Sequence, residues 1–266
     1  MDSLVDEIAT AYLDLVDTHA GGLIEGLYLE GSVALGDFRI GASDIDFVAV
    51  TARPPEAPAR AILATIHEQI RRRYRRPFFD GLYLTWADLA RDPAAMPTGP
   101  ACHEGRFYDT ATSGTANPVT WHTIAAHGIP VRGPEPAGLD IWTDTDVLTR
   151  WCHSNLDSYW KGWLTRGERL LSKQGLALLS DWGTVWAVTG VARLHYTITA
   201  REITSKTGAA LYALDAYPDY WHQLISETLR IRRAEPTPTR YASRLVRRSD
   251  TSAFAHMVIA AAHQPG

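Results

Sequence analysis

The alternation of apolar and polar positions divides the chain into two unlike parts. A helix is predicted from Ser3 to His19, followed by Leu27-Tyr28-Leu29, a short apolar and aromatic run that reads as a buried strand. After a glycine-containing loop, Phe47-Val48-Ala49-Val50 has the β-branched and aromatic make-up of a central strand. A helix-like stretch from Glu56 to Arg76 then leads into Pro77-Phe78-Phe79-Asp80-Gly81-Leu82-Tyr83-Leu84-Thr85, an apolar run with one acid. The segment from Asp92 to Gly99 is a Pro- and Gly-rich loop, and Pro130-Val131-Arg132-Gly133-Pro134-Glu135-Pro136 reads as a linker. Beyond Trp142, Leu, Ala and Trp recur at three- and four-residue spacing with few β-like runs. The predicted fold class is α+β: a mixed sheet with helices over residues 1–140, then an α-helical bundle over 141–266.

The densest chemistry lies where the first strand ends. At Gly31 the backbone can turn without a Cβ clash, and Ser32 is the expected N-cap of a short helix, whose free amides and dipole suit a phosphate. Ser43-Asp44-Ile45-Asp46 enters the second strand, and on a strand Asp44 and Asp46 share one face. Two neighbouring carboxylates need a cation, and all-oxygen ligands favour Mg²⁺.

Composition narrows the partners. A chain of 266 residues, 45% of them hydrophobic, can bury one large core or two modest ones, and two domains are expected. No run of about 18 apolar residues and no secretory leader is apparent, so a cytoplasmic protein without a membrane partner is expected. Cys102 and Cys152 have no metal-binding spacing, and none of the ten histidines forms a zinc-ligand pattern. A net charge of −4 and a pI near 6.2 argue against a nucleic-acid partner. The basic run Arg71-Arg72-Arg73-Tyr74-Arg75-Arg76 reads as the solvated end of a helix.

Gly-Ser followed after a loop by Asp-x-Asp resembles the signature of the nucleotidyltransferase superfamily of polymerase-β-like enzymes. That resemblance implies a third acid on a neighbouring strand, which Asp80 supplies. In the second half, a helix is expected over Trp182 to Thr197, its apolar face burying Trp182, Trp186 and Leu194, with Arg193 beside that face. A second helix follows, N-capped by Thr204 or Ser205. The Arg193-x-x-Tyr-Thr element, the Ser205-Lys206-x-x-Ala-Ala step and Tyr212-Ala213-Leu214 are similar to the helical domain of the aminoglycoside 3″- and 9-O-adenylyltransferases. Asn117 to His122 and Arg132-Gly133-Pro134 are similar to the segment joining their domains.

The resemblance implies an ATP- and Mg²⁺-dependent transfer of AMP to a hydroxyl of an aminoglycoside- or aminocyclitol-type molecule by a monomer. Gly31 and Ser32 would hold the ATP triphosphate, Asp44 and Asp46 the Mg²⁺, and Arg193 and Lys206 the nucleotide phosphates across the cleft. Asp80 matches the general base and is also a metal-ligand candidate, but the family has Glu there, which makes Glu104 the alternative base. No Trp matches the streptomycin-stacking position, where Phe107 and Tyr108 are nearest, and Asp181 is the acid in the vicinity of the remaining acceptor contacts. Spectinomycin is therefore expected rather than streptomycin. A same-fold enzyme that modifies a protein or RNA is the alternative reading, and a non-catalytic nucleotide-binding module the third.

Overall fold

The computed structural model of the chain describes residues 2–110 and 116–264. They form two compact units, Met1–Asp144 and Thr145–Gly266.

In the first unit the order is α1 (Ser3–Ala20), β1 (Gly26–Leu29), α2 (Gly31–Ala34), β2 (Ile45–Thr51), α3 (Ala57–Arg73), β3 (Phe79–Thr85) and α4 (Trp86–Leu89). Then come β4 (Ala101–His103), β5 (Arg106–Tyr108), α5 (Pro118–His127) and β6 (Ile129–Arg132). The six strands lie in the order β5-β4-β3-β2-β1-β6. Only β2 and β3 run parallel, and α3 is the crossover between them.

Alternation along the strands sorts the core into two layers. Leu27, Leu29, Ile45, Phe47, Phe79 and Tyr83 pack with Val5, Ile8, Tyr12 and Val16 of α1 and Leu63, Ile66 and Ile70 of α3. Tyr28, Val48, Val50, Leu82 and Leu84 face the other way, onto Trp121 and Ile124 of α5. Asp46 and Asp80 share the parity of this second set, at the starts of the two parallel strands, where they are register partners. The first layer holds a buried polar chain: the Tyr12 and Tyr83 hydroxyls lie 2.6 Å apart, and Tyr83 Oη is 2.6 Å from His67 Nε2.

Two expectations change here. The Pro-rich segment at 130 is not a linker but contains β6, an edge strand paired antiparallel with β1. Pro130 fits there because an edge strand can spare an N–H. Glu56 to Arg76 is not one helix: α3 stops at Arg73, and the chain turns toward β3 before Pro77.

The second unit is helical: α6 (Thr145–Asn155), a π-helical stretch Leu156–Trp160 continuing into α7 (Lys161–Glu168), α8 (Lys173–Leu179), α9 (Asp181–Ala200), α10 (Lys206–Ala216), α11 (His222–Arg232) and α12 (Arg244–Ala261). Its core gathers Leu164, Val188, Val191, Ala210, Ile225, Phe254 and Val258. The buried face of α9 is made of Thr184, Ala187, Val188, Gly190, Val191 and Ala192, not of tryptophans. Trp182 is 60% exposed, and Trp186 and Leu194 are half-buried. Small residues win this face because the Trp160 ring packs against it: a Cβ on Gly190 would stand 2.1 Å from that ring.

Candidate active site

The C-terminal end of β1 and the beginnings of β2 and β3 converge on one corner of the first unit. Gly31 opens α2 with φ +56°, a left-handed value that glycine tolerates best. Side chain and turn meet closely here, since a Cβ on Gly31 would lie 2.3 Å from Asp46 Oδ2. The Glu30 amide donates to the Asp46 carbonyl at 2.9 Å, which ties the turn to β2. Ser32 is not the N-cap: Glu30 holds that place, and Ser32 sits inside the first turn, its hydroxyl 3.5 Å from the Asp44 carbonyl.

Asp44 precedes β2 rather than lying on it. Its Oδ1 accepts from the Phe78 amide at 3.2 Å and from Arg76 Nη1 at 3.0 Å, so it is held by the segment that enters β3. Asp80 lies on β3 opposite Asp46 and is 9% exposed. Its Oδ2 accepts from the Glu104 amide at 2.7 Å and its Oδ1 from the Gly105 amide at 2.8 Å. Those two residues form the turn of the β4–β5 hairpin, both with positive φ. Burial pushes the Asp80 carboxyl up and the negative charge of Asp44 adds to this, against the two amides, which favour the anion.

Sequence reasoning missed Glu30. Its carboxyl is pushed well up, first by burial and then by the charge of Asp46, and Thr120 of α5 donates to it at 3.3 Å. An acid directly between a buried strand and a Gly-Ser turn was the available signal.

The arginine run divides among acids. Arg71 and Arg72 bind Glu68, Arg73 lies 3.4 Å from Glu7, and Arg76 reaches Asp44. Phe107 stacks on His67 and meets Tyr83 edge-on, so it serves the packing of the sheet, while Tyr108 beside it is 43% exposed. Burial drives the His67 imidazole down to about 3.

The corner fits a divalent cation. Asp44 and Asp46 offer only oxygen ligands, and the missing Cβ at Gly31 lets the Asp46 carboxylate lie directly against the turn. Among the described residues no three His, Cys, Asp or Glu side chains form a ready metal cage. Two carboxylates completed by phosphate oxygens and water are what Mg²⁺ commonly takes.

Residues 12–83, which contain this corner, match the nucleotidyltransferase domain, and residues 173–260 match the C-terminal domain of aminoglycoside adenylyltransferase. Together the two matches give the chain the domain pair of an aminoglycoside adenylyltransferase-like family. It is an enzyme of the nucleotidyltransferase type. Among solved structures, the fold is similar to that of spectinomycin adenyltransferase AAD(9) from Enterococcus faecialis, crystallised with ATP and spectinomycin. That likeness has a TM-score of 0.64 at 10% identity and covers 97% of this chain and 99% of the other. No curated protein matches the sequence significantly.

The family's helical motif falls on the second unit of this adenylyltransferase-like chain. Arg193 lies on α9, and Lys206 opens α10 behind Ser205, whose hydroxyl caps the helix by accepting from the Gly208 amide at 3.0 Å. Lys206 Nζ is 5.5 Å from the centroid of the Trp186 ring, on which Trp182 stacks in parallel at 5.6 Å. Asp181 is bound 2.7 Å from Arg247, a buried residue that also contacts Glu227 and the Leu179 carbonyl. No helix among the described residues is long and apolar enough to cross a membrane.

Proposed function

We propose that the protein transfers AMP from ATP to a hydroxyl group of an aminoglycoside- or aminocyclitol-type small molecule. The acceptor oxygen forms a bond to the α-phosphorus, the bond to the β-phosphate bridge breaks, and pyrophosphate leaves. The observation that carries this reading is the convergence of the Gly31-Ser32 turn with the acids of β2 and β3: a Cβ on Gly31 would stand 2.3 Å from Asp46 Oδ2, and Asp46 is the register partner of Asp80.

Asp44 and Asp46 would hold Mg²⁺, which on binding neutralises the phosphate oxygens and stabilises the leaving pyrophosphate. The Gly31-Ser32 turn positions the triphosphate with backbone amides and the Ser32 hydroxyl. Asp80 accepts the proton of the attacking hydroxyl. Its raised affinity for protons suits that role, and the hairpin amides fix the carboxylate in one orientation. Glu104, on the same turn, is the second candidate. Arg193 and Lys206 are assigned to the nucleotide phosphates on the likeness of their motif to the family's, and the spectinomycin complex of the AAD(9) structure favours an aminocyclitol acceptor.

Pyrophosphate release from ATP, followed across spectinomycin, streptomycin, tRNA and a protein lysate, tests this. Release with an aminocyclitol alone is expected. Release only with tRNA or lysate would transfer the assignment to a macromolecular acceptor, a reading that the paired arginines of α3 disfavour.

A further inference from the structure

Arg76 is the one member of the arginine run that reaches the acid pair. The chain leaves α3 at Arg73 and crosses to β3 through Tyr74-Arg75-Arg76-Pro77, which brings residue 76 alongside the loop before β2. The Arg76 guanidinium carbon lies 3.7 Å from the centroid of the Phe78 ring, and Nη1 is 3.0 Å from Asp44 Oδ1. The ring contact orients the guanidinium plane without consuming an N–H donor, which leaves the fork free for a carboxylate. Phe78 contributes twice, since its amide donates to the same oxygen. Asp44 is thus held on one oxygen by two donors from the tripeptide Arg76-Pro77-Phe78, one of them a full positive charge.

We infer that Arg76 is an internal counterion that competes with the divalent cation for Asp44. A cation that takes Asp44 Oδ1 must displace the guanidinium, and one that takes the other oxygen meets a positive charge at hydrogen-bond distance from the same carboxylate. Either way the cation-free chain has a partly neutralised Asp44, and cation affinity is lowered by the worth of the pair. Both side chains are partly exposed, 63% for Arg76 and 38% for Asp44, so that worth is modest. The inference rests on Asp44 being a cation ligand, as proposed above.

The test is Mn²⁺ binding to the full chain without nucleotide, read by the electron paramagnetic resonance signal of free Mn²⁺. Arg76→Gln removes the charge at an exposed position and is expected to bind Mn²⁺ about twofold to fivefold more tightly than wild type. Asp44→Asn combined with Arg76→Gln should abolish that gain. Equal or weaker binding by Arg76→Gln overturns the counterion role and leaves the cation assignment intact. Absence of Mn²⁺ binding in wild type and Arg76→Gln alike, with ATP as well as without it, overturns the cation assignment and this inference together.

Discussion

Gly31 and Asp46 interlock: residue 31 must lack a Cβ because Oδ2 of Asp46 occupies the place that atom would take, 2.3 Å away. A positive φ adds to the constraint. Gly31→Ala is expected to lower kcat/KM by about 100-fold through displacement of the Asp46 carboxylate or the turn. Ser32→Ala, which keeps the turn and its backbone amides and removes one hydroxyl from the proposed triphosphate site, should lose less. Steady-state kinetics on both variants check this, and equal losses would contradict the steric account.

Asp80 anchors the hairpin amides and is the proposed base, and the two roles separate experimentally. Asp80→Asn replaces an acceptor of two amide bonds with a group that can satisfy one of them, at a cost of about 1–3 kcal/mol in denaturant unfolding. It should also reduce kcat by about 100- to 10,000-fold with little change in KM for ATP. Glu104→Gln leaves the backbone amide in place and is expected to retain both stability and turnover. Loss of turnover in Glu104→Gln with retention in Asp80→Asn would move the base to Glu104.

The His67 imidazole titrates at about 3 in the folded chain, below its unfolded value of about 6.5. Between these values the unfolded state binds the extra proton, so the contribution of neutral His67 to stability is complete above pH 6.5 and is lost as pH falls. The stability advantage of wild type over His67→Asn should shrink by about 2 kcal/mol from pH 7 to pH 5. Urea unfolding at both pH values measures it, and a constant difference would mean that His67 is not held neutral by burial.

In the helical unit, Gly190→Ala forces a methyl group into the Trp160 ring and should destabilise by about 1–3 kcal/mol. Trp182→Ala, at an exposed position, should cost less than about 1 kcal/mol while removing the parallel ring pair with Trp186 from the near-ultraviolet circular dichroism. Thermal melts of the two variants rank them, and the reverse ranking would contradict the assignment of the α9 core face.

The strands β1, β2 and β3 and the Gly31-to-Asp46 motif were legible because apolar runs, a Gly-Ser turn and paired acids are local signals. Strand β6 was hidden by Pro130 and its proline neighbours, which mark a linker unless the strand is known to lie at an edge. The β4–β5 hairpin, three residues a side, was too short to show an alternation, so the amide contacts of Asp80 could not be foreseen. Trp182 broke the helical reading because size suggested a core residue where Gly190 and Trp160 had already filled the face. Arg76 was masked by the five-residue run before it, although Pro77 signals that the helix ends earlier.

The most direct measurement is detection of the AMP adduct of spectinomycin by mass spectrometry after incubation with ATP and Mg²⁺, using wild type, Asp44→Asn and Asp46→Asn. The account predicts the adduct and stoichiometric pyrophosphate with wild type, and neither product above background with the two variants. Adduct formation that survives both substitutions, or ATP turnover by wild type that never places AMP on an aminocyclitol or aminoglycoside hydroxyl, would contradict it.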